Sequence, residues 1–110
     1  MKKQKLPKHY LAKEKKFKEF FDALENLGKV TKKQGPLEEK TSQLIQLAAA
    51  AAIRSEGSVH SHTRRAIKAG AKPEEIYHTI ILLTSTIGFP TVAAALSWVD
   101  DVVGKKQGKS

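Results

Sequence analysis

The chain has 110 residues, 40% hydrophobic and 28% charged, with a net charge of +9 and no cysteine. That length fits one compact domain, the balance is too apolar for disorder, and the missing cysteines exclude disulfides, thiolate metal sites and thiol nucleophiles. The charge sits at the ends, with +7 on residues 1–18, +3 on 104–110 and −1 on 19–103, which gives a basic extension (1–18), a domain (19–103) and a basic tail (104–110).

The lysines of the extension are not interleaved with aromatic rings as a base-stacking platform requires, so no nucleic-acid partner is expected. "MKKQKLPKHY" is basic, but no apolar stretch and small-residue cleavage site follow it, which makes the cytoplasm the expected location. From about Tyr10 to Thr31, the residues Phe17, Phe20, Phe21, Leu24, Leu27 and Val30 recur at three and four, predicting a first amphipathic helix. "QGPLEEK" stops it and starts a second, with Gly35 as the breaker, Pro36 at the first helical position, and Glu38 and Glu39 at the positive end of the macrodipole. This second helix runs to about Arg54. Its "AAAAA" at 48–52 lets neighbours approach closely on any side, which predicts a buried central helix. The longest apolar run, "LAAAAAI" at 47–53, is far below the roughly 20 residues of a membrane span, so no membrane partner is expected.

At residues 55–58 the chain turns, with Gly57 as the permissive residue and either serine available as a cap. A third helix then ends at Gly70, where a C′ glycine belongs. Pro73, Glu74 and Glu75 start a fourth, whose stripe of Ile76, Ile80, Leu83 and Ile87 runs to Gly88. A fifth carries Val92, Leu96, Val99 and Val103 on one face and stops at Gly104. "YHTIILLTSTI" is β-branched, but no other strand is available to pair with it, and the fold class expected is all-α. A single small domain without disulfides gains burial by assembling, so a homo-oligomer is expected.

The chemistry gathers in "RSEGSVHSHTRRA" at 54–66. On a helix starting near Ser55, the residues Ser55, Ser58 and His62 fall on one face. An imidazole beside a hydroxyl can act as the base for a serine nucleophile. No acid is placed by spacing to orient this histidine, however, and a Ser58 cap with a histidine packed at a helix interface is the plainer reading. His60 and His62 point in different directions, His78 is distant and no carboxylate cluster is apparent, so neither a metal nor any other cofactor is expected.

From "GPLEEKTSQLIQLAAAAAIRSEGSVHSHTRRAIKAG" through "PEEI" to "IGFP" the chain resembles the carboxymuconolactone decarboxylase-like superfamily, which includes the alkylhydroperoxidase D type, over about residues 20–100. The usual pattern has a glutamate in a "KELIALA"-like helix, a CxxC twelve residues on, a histidine four past the second cysteine, then "HTRAAxxAG", "EEI" and a GxP turn. By position these fall on Gln43, Ser55, Ser58, His62, Gly70, Glu74 with Glu75, and Gly88 with Pro90. The histidine and scaffold match, while the glutamate and both cysteines are replaced. The resemblance implies an alkylhydroperoxidase D-like helical bundle, a trimer or hexamer, with a site at Gln43, Ser55, Ser58 and His62 near a subunit interface. It also implies an ancestral reduction of a small peroxide or disulfide by two thiols, with the glutamate and histidine moving protons.

Serine neither ionises near neutral pH nor forms a disulfide, and glutamine cannot take a proton as a carboxylate does, so the chain as written should be inert in that chemistry. All three replacements keep shape, which favours a deliberate cysteine-free variant over a natural member that lost activity. A second reading within the superfamily is a gamma-carboxymuconolactone decarboxylase-type lyase with His62 as the proton-transfer residue. A third is a non-enzymatic helical scaffold.

Overall fold

The structure, a computed structural model, describes residues 8–106; residues 1–7 of the basic extension and 107–110 of the basic tail lie outside the described residues. It is all-α, with no strand among the described residues. Contacts divide it between Pro36 and Leu37. This is a different boundary from the change of charge after residue 18.

In the first unit the expected single helix is two, α1 (Lys8–Lys16) and α2 (Lys18–Lys33). Phe17 leaves the helical region (φ −118°, ψ 55°). The break accompanies an edge-to-face contact of Tyr10 on Phe21, ring centroids 5.5 Å apart, which joins the two helices. Phe20, Leu24, Leu27 and Val30 line α2 as predicted, and all are exposed.

The second unit holds α3 (Glu39–Ala52), α4 (Glu56–Lys68), α5 (Pro73–Ile81), α6 (Thr84–Ile87) and α7 (Phe89–Lys106). Helix α3 starts after Pro36 rather than on it. Glu38 is its extended N-cap, and the carboxylate of Glu38 accepts from the Thr41 hydroxyl at 3.4 Å. The alanine run is buried on one side only: Leu47, Ala50 and Ala51 face the core, while Ile45, Ala49, Ala52 and Ile53 are exposed. A helix at the edge of a single chain has neighbours on one stripe, so small side chains permit close approach without ensuring it.

Two helices end in the same device. After α4 the Ala71 amide donates to the Ala66 carbonyl and the Gly70 amide to that of Ile67, with Gly70 at φ 102°, as the sequence indicates. After α3 the matching bonds run from Ser55 to Ala50 and from Arg54 to Ala51, and the left-handed residue is Arg54 at φ 58°. The expectation that Gly57 makes this turn is therefore wrong, since Gly57 lies in the first turn of α4. Arg54 bears the cost of a side chain in that region, about 1–2 kcal/mol, and its guanidinium donates to the Thr91 hydroxyl at 2.9 Å, fastening the turn to α7.

Helix α5 begins at Pro73 as predicted, its start fixed by Glu75, whose carboxylate accepts from the Lys72 amide at 2.8 Å and from Lys40 of α3 at 3.2 Å. The expected run to Gly88 breaks at Leu82–Leu83. The Thr84 hydroxyl donates to the Ile81 carbonyl at 2.7 Å, a local bond that competes with the helix ladder. Gly88 (φ 90°) then reverses the chain into α7, which takes Pro90 into its first turn, where a missing N–H costs nothing, and continues through Gly104 instead of stopping there.

Leu47, Val59, Ala66, Ile76, Ile80, Val92, Ala95, Val99 and Val103 form the core, with α3 packed on α4, α5 and α7. At its rim the Tyr77 hydroxyl of α5 donates to Asp100 of α7. Burial first, and the Asp100 bond second, push the Tyr77 phenol up to about 12. A raised native value favours the neutral phenol, so its contribution is complete below its ordinary value of about 10 and is lost as pH climbs toward about 12. The urea midpoint of the wild type should therefore fall between pH 10 and 12 more steeply than that of Tyr77→Phe; parallel profiles would contradict this.

Candidate active site

Ser55 is the N-cap of α4: its backbone is extended and its Oγ accepts from the Ser58 amide at 3.4 Å. The cap is thus Ser55 and not Ser58, and removing a cap of this kind typically costs about 1 kcal/mol. Ser58 lies in the first turn of α4 and His62 one turn further on, and both are half-buried.

Gln43 reaches His62 from α3. Its side chain is 1% exposed, its Oε1 lies 2.8 Å from His62 Nδ1, and its Nε2 donates to Glu39 Oε2 at 2.8 Å. The structure therefore joins Gln43 to His62 across 19 positions of sequence and Ser55 to the amide of Ser58. Sequence reasoning missed Glu39, taken there only as a charge at a helix start. Its spacing of four before Gln43 was the available signal. Thr63, also on α4, is fully buried, and its hydroxyl is without a hydrogen-bond partner among the described residues.

His60 turns toward α7, with Nε2 2.9 Å from Asp101 Oδ2 and 4.0 Å from Glu56 Oε2. These three ligand atoms lie within 4.8 Å of one another. The expectation of no carboxylates near a histidine is thus corrected: one comes from a turn back on α4 and the other from the far end of the chain. The group could hold a cation, but Glu56 and Asp101 are exposed and the contact to Asp101 serves as a clasp between α4 and α7. No helix among the described residues is long and apolar enough to cross a membrane.

These features define a class of small all-α domain in which a serine-capped helix presents a histidine to a buried side chain on the preceding helix. The chain belongs to the carboxymuconolactone decarboxylase family, whose profile matches residues 18–101. It is similar to the uncharacterized protein MJ1511 of Methanocaldococcus jannaschii, with 30% identity over 86 residues, 78% of this chain and 80% of that protein. No solved structure matches it.

Proposed function

We propose that this protein is a redox-inert relative of the thiol-dependent peroxidases and disulfide reductases of its family, and that its remaining chemistry is proton transfer at His62. The observation that carries this is the 2.8 Å contact between His62 Nδ1 and the buried Gln43, which holds the imidazole in a fixed orientation. Thiol redox has no atoms to run on, since the chain contains no cysteine. Ser55 has a structural reason to be serine: it caps α4, where a weak sulfur acceptor would serve less well.

In a gamma-carboxymuconolactone decarboxylase-type reaction the C–CO2⁻ bond breaks, its electron pair stays on carbon, and that carbon takes a proton from the His62 imidazolium as carbon dioxide leaves. The protein would act in the cytoplasm as a homo-oligomer, a trimer or hexamer. Ile53 at 75%, Leu82 at 62% and Phe89 at 61% exposure supply apolar surface for such an assembly.

The test is carbon dioxide release from gamma-carboxymuconolactone, alongside dithiol-dependent reduction of hydrogen peroxide and of a small disulfide. The wild type should release carbon dioxide, His62→Ala should be about 10²–10⁴-fold slower, and neither protein should reduce peroxide or disulfide. Peroxide reduction by the chain as written would overturn the redox-inert reading. A His62→Ala rate equal to wild type, or no release by either, would overturn the proton-transfer reading, and a stable oligomer without either activity would leave the scaffold.

A further inference from the structure

We propose that Glu39 is a positioning residue which, acting through Gln43, keeps the proton of neutral His62 on Nδ1 and leaves Nε2 as the proton acceptor. This rests on the proton-transfer reading for its consequence, but not for its geometry. The chain of contacts is Glu39 Oε2 to Gln43 Nε2 at 2.8 Å, then Gln43 Oε1 to His62 Nδ1 at 2.8 Å.

Each link has one chemically sensible direction. A carboxylate can only accept, so the Gln43 atom facing Glu39 must be the amide nitrogen. The opposite end of the same planar amide is then oxygen, which can only accept, so His62 Nδ1 must carry the hydrogen. Gln43 is 1% exposed, and water has little access to offer its ends substitute partners. Without Glu39, rotating the amide by half a turn would present its NH2 group to His62, and the proton would move to Nε2. The orientation of a glutamine amide is worth little by itself; here an ionic acceptor one helical turn back decides it.

The consequence for chemistry is a direction of proton flow. Nε2 takes a proton from a substrate, or returns one, while Nδ1–H remains donated to Gln43 in both states, so the ring need not reorient during a cycle. A neutral amide at position 43 also places no negative charge directly against the ring, so the imidazolium is stabilised less than it would be by a glutamate there. Glu39 supplies the acid–base logic that position 43 lacks, displaced by one amide length.

The test is a long-range proton–nitrogen correlation spectrum of protein labelled with 15N-histidine, recorded near pH 8, above the ordinary imidazole range. Wild type should show His62 as the Nδ1–H tautomer. Glu39→Ala should shift the tautomer ratio toward Nε2–H by about tenfold or more, the effect of losing a charge-assisted hydrogen bond. Glu39→Gln, whose neutral amide can either accept from Gln43 or donate to it, no longer dictates the direction and should give a tautomer ratio between those of wild type and Glu39→Ala. A wild-type His62 protonated on Nε2, or a Glu39→Ala spectrum unchanged from wild type, would overturn the proposal. Because the wild-type spectrum alone can refute it, a poorly folded alanine variant does not remove the test. A protein that shows the Nδ1–H pattern and no carbon dioxide release would refute the proton-transfer function while leaving the role of Glu39 intact.

Discussion

Ser55→Cys combined with Ser58→Cys should produce a protein whose two thiols close to a disulfide under mild peroxide and reopen with a dithiol. Position 55 is the N-cap of α4 and position 58 lies in its first turn, beside the free amides and positive end of the helix dipole. A thiol placed there is acidified below its usual value of about 8.5, because the thiolate is the form the helix start favours. The readout is the pH dependence of alkylation with iodoacetamide, together with a thiol count before and after peroxide. At least one thiol should titrate below about 8.5, and the count should fall from two to none. Two thiols that titrate at or above that value and survive peroxide would break the equivalence of these serines with a redox pair. The variant should also lose about 1 kcal/mol of stability with the Ser55 cap.

The second large effect is on the fold. Leu47→Ala should destabilise the protein by about 2–5 kcal/mol, the range for deleting most of a fully buried leucine from a packed core. Leu47 is 0% exposed and belongs to the face of α3 that meets the rest of the core. The neighbouring alanines make the loss hard to repair, since side chains as short as Ala50 and Ala51 cannot move into the space. Total stabilities for small domains are about 5–15 kcal/mol, so this one change is a large fraction, and urea unfolding followed by circular dichroism will measure it. Ile53→Ala is the contrast. At 75% exposure it should change monomer stability by no more than about 0.5 kcal/mol. A loss below about 1 kcal/mol at Leu47 would mean that the core collapses around the gap.

Most helices of the second unit were legible from local chemistry. Pro73 with Glu74 and Glu75 marked the start of α5, and Gly70 marked the end of α4, because each is a residue type suited to one backbone geometry. The same reasoning failed where a residue did something its type disfavours. Arg54 takes the left-handed position assigned to Gly57, and a turn closed by two backbone bonds with a side chain anchored on Thr91 is what sustains it. Leu82–Leu83 interrupts a stripe that periodicity ran straight through, through a hydroxyl–carbonyl bond that periodicity does not register.

For the site, the sequence by itself determined the cast. It placed His62 one turn after Ser58, put Gln43 in a helix before them, and ruled out thiol chemistry because no sulfur nucleophile exists in the chain. It could not decide which polar groups meet, since residues 43 and 62 are joined only when α3 packs on α4, and their contact depends on the crossing of two helices rather than on any spacing within one. Glu39 shows the division most plainly: as a letter it is an acid at a helix start, and only the burial of Gln43 against His62 turns it into a group that determines where a proton sits. Periodicity and residue type act along the chain and so can be read from it, whereas hydrogen-bond direction around a buried glutamine is set by every partner at once and exists only in the folded protein.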